Sequence, residues 1–279
     1  MDRWLLADYE RLRGIIADAG VALVAFSGGV DSAFLLKVCV DVLGEGVLAV
    51  TARSESFPAR ELEQATDLAR RFGARHLIID SEELDLPGFS DNPPHRCFLC
   101  KGELFSKLKE IADARGIPWV FDGSNADDGG DFRPGRMAAR KLGVRSPLEE
   151  AGLVKGKIRA LSHSLGLPTW DKPSFACLAS RFPYHTRITR EALKQVDNAE
   201  QFLWQLGMRT FRVRHHETVA RIELGEREMQ LMADPETRRK VAQHLKSLGY
   251  TYVTLDLEGY RTGSMNETLS EEERARGSA

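Results

Sequence analysis

The hexapeptide Ser27-Gly28-Gly29-Val30-Asp31-Ser32 constrains this chain more than any other stretch. It follows the apolar run Val21–Phe26 and opens a helical pattern that continues from Ala33 to Leu43. The spacing therefore predicts a strand, a tight turn and a helix in immediate succession. Two adjacent glycines let the backbone turn sharply, so that successive N–H groups converge on an anion at the helix N-terminus. Ser27 and Ser32 add hydroxyl donors, and Asp31 is placed to hold a magnesium ion bridging phosphates. No Gly-Lys-Ser/Thr follows, which excludes the Walker type of phosphate loop.

The pattern around this turn repeats. Apolar strand candidates are Val21–Phe26, Val47–Thr51, His76–Asp80 and Trp119–Asp122. Between and around them lie helical stretches near Trp4–Ala19, Ser32–Leu43, Pro58–Phe72, Lys101–Arg115, Pro134–Leu142 and Lys155–Leu165. Strands alternating with helices of this length read as βαβ units, hence an α/β fold with a doubly wound parallel sheet. Ligands of such sheets bind beyond the carboxyl ends of the strands. That edge collects Ser27–Ser32, Thr51–Ser54 and Asp122–Asp128. After Thr186 the pattern changes to a helix over Glu191–Leu206, strands over Thr210–Arg214 and Val219–Leu224, a helix over Pro235–Leu248 and a strand over Tyr252–Leu257. We therefore expect a main domain over 1–186, a small α+β domain over 187–267, and a charged, disordered tail over 268–279.

Composition narrows the function classes. A formal net charge of -2 on 279 residues argues against a surface that coats nucleic acid. No apolar run approaches the length of a bilayer, and the N-terminus lacks the apolar core of a secretory signal. A cytoplasmic protein is expected, with a small-molecule substrate, no membrane association, and assembly as a homo-oligomer.

The cysteines divide into two groups. Cys39 lies in an apolar helical stretch and reads as a buried thiol. Cys97 and Cys100 form a C-x-x-C at a helix start, and Cys177 stands far along the chain in Ser174-Phe175-Ala176-Cys177-Leu178-Ala179-Ser180-Arg181. A helix N-terminus and adjacent cations favour thiolates. Three thiolates suit a 4Fe–4S cluster with one iron left open, whereas structural zinc wants four ligands. A redox C-x-x-C and a set of unligated thiols stay open as alternatives. Ser54 can face a nucleotide. Asp127 or Asp128 either completes a magnesium shell, contacts ribose, or belongs to a solvated acidic loop. Arg212 and Arg214 alternate with apolar residues and so share one strand face, which suits a phosphate or carboxylate or is simply solvated. Arg133 and Arg136 lie near the sheet edge with the same two readings.

The hexapeptide resembles the PP-loop of the ATP pyrophosphatases, whose fold is HUP-like. Leu165-Gly166-Leu167-Pro168-Thr169-Trp170-Asp171-Lys172-Pro173, the segment through Cys177 to Arg181, and Phe211-Arg212-Val213-Arg214-His215-His216 extend the likeness over most of the chain. The whole resembles the LarE family, sulfur transferases that mature the nickel-pincer cofactor of lactate racemase. The resemblance implies ATP with Mg2+, adenylation of a carboxylate on a pyridinium dicarboxylate mononucleotide, and attack by sulfur at the position of Cys177. It implies nucleotide binding by Ser27, Gly28, Gly29, Val30, Asp31 and Ser32, beside which Ser54 and Asp128 are candidates by their place on the sheet edge. It makes Arg212 and Arg214 phosphate ligands, with Arg133, Arg136 and Arg181 as further candidate contacts for substrate phosphate or carboxylate. Cys97 and Cys100 depart from the single-cysteine pattern and resemble members in which three cysteines hold a 4Fe–4S cluster. A tRNA thiolase with such a cluster and a non-catalytic nucleotide-binding protein are the alternatives.

Overall fold

The computed structural model describes residues 3–130, 134–173, 176–261 and 263–270. The first part runs α1 (Arg3–Ala19), β1 (Ala22–Ala25), α2 (Val30–Leu43), β2 (Val47–Arg53), α3 (Ala59–Arg71), β3 (Arg75–Asp80), α4 (Arg96–Ala114), β4 (Trp119–Phe121), α5 (Pro134–Lys141), α6 (Pro147–Glu150) and α7 (Lys155–Ser164). The second comprises α8 (Arg190–Gln205), β5 (Phe211–His216), β6 (Val219–Leu224), α9 (Glu226–Leu231), α10 (Pro235–Ser247) and β7 (Tyr252–Leu255).

The first four strands are parallel in the order β3-β2-β1-β4. Alternation along the strands explains how both faces are covered. Ala22, Val24, Val47 and Ala49 face a core built with Leu12 and Ile16 of α1, Phe34, Leu35 and Val38 of α2, and Ala65 and Leu68 of α3. Leu23, Leu48, Val50 and Val120 face the opposite core with Phe105, Leu108 and Ala112 of α4 and Ala139 of α5. The sheet is thus doubly wound, as expected, and the strand order reverses between β1 and β4. A crevice at such a switch point is where these folds place ligands.

The second sheet has the order β5-β6-β7, antiparallel between β5 and β6 and parallel between β6 and β7. The β6–β7 crossover carries α9 and α10, and α8 and α10 cover the face formed by Phe211, Val213, Ala220 and Ile222. Local signals start these helices. Thr189 accepts from Ala192 N at 3.1 Å to cap α8, and Asp234 accepts from Thr237 N at 2.7 Å to cap α10 just before Pro235. Among the described residues, no helix is long and apolar enough to cross a membrane.

Several boundaries differ from expectation. β2 continues to Arg53 because Ala52 and Arg53 pair with Ile79 and Asp80 of β3. α4 begins at Arg96, so both C-x-x-C cysteines lie within its first turns. The chain also stays packed past residue 268, with Leu269 buried, and residues 271–279 lie outside the described part.

The turn after β1 has a specific steric demand. Gly28 has φ of +70°, and a Cβ there would stand 3.0 Å from both Cα and Cβ of Ala65 on α3. Gly14, within α1, has nothing within 4 Å of such an atom. Gly28→Ala should therefore destabilise the protein by about 1–3 kcal/mol, combining left-handed strain with a backbone clash. Gly14→Ala should instead stabilise it by up to about 1 kcal/mol. Paired denaturant titrations check both, and equal effects of like sign would contradict the steric account.

Candidate active site

The Ser27–Ser32 turn closes on itself. Ser27 N donates to Ser32 Oγ at 3.3 Å, the two hydroxyl oxygens stand 3.1 Å apart, and Ser32 Oγ donates to the Gly29 carbonyl at 3.3 Å. Val30, Asp31 and Ser32 form the first turn of α2, whose unpaired N–H groups point out of the helix end. The loop after β4 packs directly on this turn: a Cβ on Gly123 would lie 3.0 Å from Ser32 N. Asp31 Oδ2 accepts from Lys155 Nζ at 2.6 Å and from Asn125 Nδ2 at 3.4 Å. Its Oδ1 is buried with no hydrogen-bond partner among the described residues. An orphaned carboxylate oxygen beside a phosphate-binding turn fits magnesium, which takes one or two protein carboxylates and completes its shell with phosphate and water.

The carboxylates of the neighbouring loop are engaged in bracing it. Asp122 accepts from Ser124 N at 3.1 Å and Ser146 Oγ at 2.7 Å. Asp127 Oδ2 accepts from Lys155 N at 2.7 Å, at the start of α7, and Asp128 Oδ2 accepts from Asn125 N at 2.9 Å. Arg136 donates to the Asp128 carbonyl and pairs with Glu149. Arg133 lies outside the described residues.

Two lysines that residue patterns did not single out stand at the turn. Lys155 meets Asp31 across 124 positions of chain, which leaves no local signal. Lys172 donates to the Gly28 carbonyl at 3.2 Å and Gln64 Oε1 at 3.0 Å, and pairs with Glu61 at 2.7 Å. Its signal is its place in the Asp171-Lys172-Pro173 stretch that leads toward Cys177.

The Cys177 segment is anchored beyond β2. Leu178 N donates to the Ser56 carbonyl at 2.8 Å, and Ser56 Oγ lies 3.4 Å from Ser54 Oγ and donates to buried Glu83. Cys100 and Cys177 pack against Leu84, Phe89, Leu178 and Phe182. The thiols of Cys97, Cys100 and Cys177 stand within electrostatic reach of one another. Burial pushes the Cys100 thiol up to about 12, aided by Glu83 and Cys177. Cys97 reaches solvent, yet desolvation and then Cys177 raise its thiol, and Arg96 and Lys101 pull the other way without prevailing, so burial overrides the thiolates expected at this helix start. Cys39 is buried in the α1–α2 core, and burial pushes its thiol up too. Among the described residues, no three His, Cys, Asp or Glu side chains are arranged to hold a single metal ion. The donor set of Cys97, Cys100 and Cys177 is nonetheless chemically suited to an iron–sulfur cluster, whose thiolates sit around a larger core than one ion.

The cationic residues separate by environment. Arg181 is fully buried and forms a double hydrogen bond with Glu200 at 2.8 and 2.9 Å, while Nη1 donates to the Ala176 carbonyl at 2.8 Å. Arg214 pairs with Glu223 at 2.8 Å and donates to the Ser180 carbonyl at 2.7 Å. Both guanidinium groups thereby hold the chain on either side of Cys177. Arg212 lies 4.9 Å over the Tyr260 ring and donates to the Phe211 carbonyl at 2.7 Å. Burial, then Arg181, lowers its pKa to about 10 while Glu200 pulls the other way, so it stays charged at neutral pH.

A phosphate-binding turn at the switch point, a carboxylate with one unpartnered oxygen and thiols on the same sheet edge point to one class: a nucleotide-using enzyme with a PP-loop. The NAD synthase family profile matches residues 10–92. An uncharacterized protein of Synechocystis sp. is 43% identical over 261 residues, covering 94% of this chain and 97% of that protein. The pyridinium-3,5-bisthiocarboxylic acid mononucleotide synthase of Lactiplantibacillus plantarum is 42% identical over 253 residues, covering 90% of this chain and 91% of the synthase. A subunit of the glutamine-hydrolyzing GMP synthase of Thermoplasma volcanium is 28% identical over 170 residues, 55% of this chain and 54% of that polypeptide. The chain belongs to the LarE family, the ATP-dependent sulfur transferases of the PP-loop superfamily.

The Arg181–Glu200 pair makes a testable demand on stability. Burial alone would raise the Glu200 carboxyl, but Arg181 and its hydrogen bonds outweigh this and hold it below the usual carboxylate range. Its contribution is therefore complete above the unfolded carboxyl value of about 4.3 and is lost as pH falls through the lower folded value. Glu200→Ala should cost about 3–5 kcal/mol at neutral pH by stranding a buried guanidinium. Denaturant melts of variant and parent between pH 7 and pH 3 should show this difference shrinking as the solution becomes acidic.

Proposed function

We propose that this protein thiolates a carboxylate of a pyridinium dicarboxylate mononucleotide in two steps, contributing to the nickel-pincer cofactor of lactate racemase. The relative of 42% identity, named as the synthase of the bisthiocarboxylic acid mononucleotide, supports the substrate. One structural observation carries the mechanism. Lys172 contacts the Gly28 carbonyl, and Cys177 follows only five residues later, so the Cα atoms of Lys172 and Cys177 stand at most roughly 18 Å apart. The thiol segment is thereby tethered to the phosphate site.

In this reading the N–H groups and hydroxyls of Ser27–Ser32 hold the ATP phosphates, and Ser54 and Asp128 border the nucleotide. Asp31 holds magnesium, which neutralises phosphate charge when bound. The substrate carboxylate attacks the α-phosphorus and pyrophosphate leaves. Sulfur then forms a bond to the acyl carbon, and AMP departs with the electron pair of the broken C–O bond. Arg133, Arg136, Arg181, Arg212 and Arg214 are the candidate contacts for substrate phosphate and carboxylate. Of these, Arg212 lies beside Arg181, Glu200 and Arg214. Residues 1–186 form the activating domain and residues 187–267 the small domain that presents Arg212 and Arg214. Cys97, Cys100 and Cys177 would hold a 4Fe–4S cluster, which when bound would supply an exchangeable sulfide. Leu84, Phe89 and Phe182 pack beside Cys100 and Cys177 and would limit water there. The protein acts in the cytoplasm as a homo-oligomer.

Incubation with ATP, magnesium and substrate should release AMP and pyrophosphate, and Asp31→Ala should lower that release by roughly a hundredfold or more. Formation of ADP and phosphate would refute the adenylation step.

Cys177→Ala should leave adenylation intact and block thiolation. Two sulfur routes differ in their mark on the chain. If Cys177 surrenders its own sulfur, intact mass falls by about 34 Da and each chain acts once. If the cluster carries the sulfide, mass is unchanged, and anaerobically purified protein contains iron and sulfide and turns over repeatedly. We favour the second because the first leaves Cys97 and Cys100 without a task. Thiolation by Cys177→Ala at the parent rate would refute both.

A further inference from the structure

We propose that Lys155 is an internal counter-ion that neutralises Asp31 through Oδ2 until magnesium–ATP arrives, and then moves onto the triphosphate. The inference rests on the adenylation reading above and adds a positioning residue to it. Lys155 Nζ lies 2.6 Å from Asp31 Oδ2, while Asp31 Oδ1 is buried with no partner among the described residues. One ammonium thus neutralises a carboxylate whose second oxygen remains open to a cation. The pair is only partly exposed, with 30% of the lysine side chain and 20% of the aspartate side chain reaching solvent. An unneutralised carboxylate in that setting would be disfavoured, so the lysine stabilises the nucleotide-free site.

The attachment of Lys155 lets it move without disturbing the fold. Its backbone N–H is held by Asp127 Oδ2 at 2.7 Å as the first residue of α7, so the helix start does not depend on the side chain. The long side chain is able to pivot about that fixed point. Magnesium and Lys155 compete for one carboxylate, so the ion binds poorly unless the lysine gains another anion. The triphosphate is that anion, seated on the adjacent Ser27–Ser32 turn. Cation exchange at Asp31 therefore couples metal binding to nucleotide binding and disfavours metal capture by the empty enzyme. Lys172 cannot replace it, because its ammonium is engaged by Glu61, Gln64 and the Gly28 carbonyl.

Manganese(II) binding, followed by electron paramagnetic resonance on the full chain without nucleotide, reads the exchange directly. Lys155→Met should bind manganese about tenfold more tightly than the parent, since a competing cation is removed. Lys155→Arg should keep the weak parental binding, and Asp31→Asn should abolish binding in every background. With ATP present, Lys155→Met should lose most of the nucleotide-dependent gain in metal affinity, and its pyrophosphate release should slow by about tenfold or more. Unchanged manganese affinity in Lys155→Met would overturn the proposal. If the parent released no AMP from ATP, the adenylation reading would fall, and the nucleotide-free manganese result would still report on the ion pair by itself.

Discussion

The left-handed turn at Gly28 is the constraint on which the rest depends. Its φ of +70° and its approach to Ala65 bring α3 against the loop after β1. That contact sets where α2 begins, and so where Asp31 and Ser32 stand. Gly123 repeats the device from the other side, bringing the loop after β4 within backbone distance of Ser32. Two positions without side chains thus fuse the ends of adjacent parallel strands into one anion-binding edge. A larger residue at Gly28 would press on α3, and one at Gly123 would press the loop after β4 away from Ser32.

Around this edge, most charges are matched by an opposite partner, and Asp31 departs from that pattern with one oxygen unpartnered among the described residues. That oxygen suits a cation. Arg181 and Arg214 have a different character, because Glu200 and Glu223 hold them in buried pairs. Such pairs add little net stability over apolar packing but strongly penalise loss of one member. Here they fix the carbonyls of Ala176 and Ser180, and with them the path of the chain through Cys177.

Much of this was legible from residue patterns. The strands, their order of alternation with helices and the hexapeptide turn follow from period and glycine placement, which act locally. The edge that gathers Ser27–Ser32, Ser54 and Asp122–Asp128 follows from the parallel topology. The C-x-x-C at a helix start was legible as well, although α4 begins earlier than its periodicity indicated. Its first turns pack with Cys100 against the Cys177 segment rather than on the sheet, so they lack the sheet-facing apolar repeat. Short α6 and α9 escaped notice, since helices of that length are held by tertiary packing and carry little periodicity.

By itself, then, the sequence determined the doubly wound sheet, the phosphate-binding turn and the set of three cysteines apart from Cys39. Those depend on backbone preference and on spacing within a few residues. Only the tertiary structure decided which charged groups are partnered. Lys155 finds Asp31 across 124 positions and Lys172 finds Gly28 across 144, distances over which no sequence pattern carries pairing information. The same holds for Arg181 and Arg214, alike in sequence to solvent-facing arginines but enclosed by carboxylates from other elements. Local sterics are written in the chain, while the partner of a long charged side chain depends on which surfaces folding brings into contact.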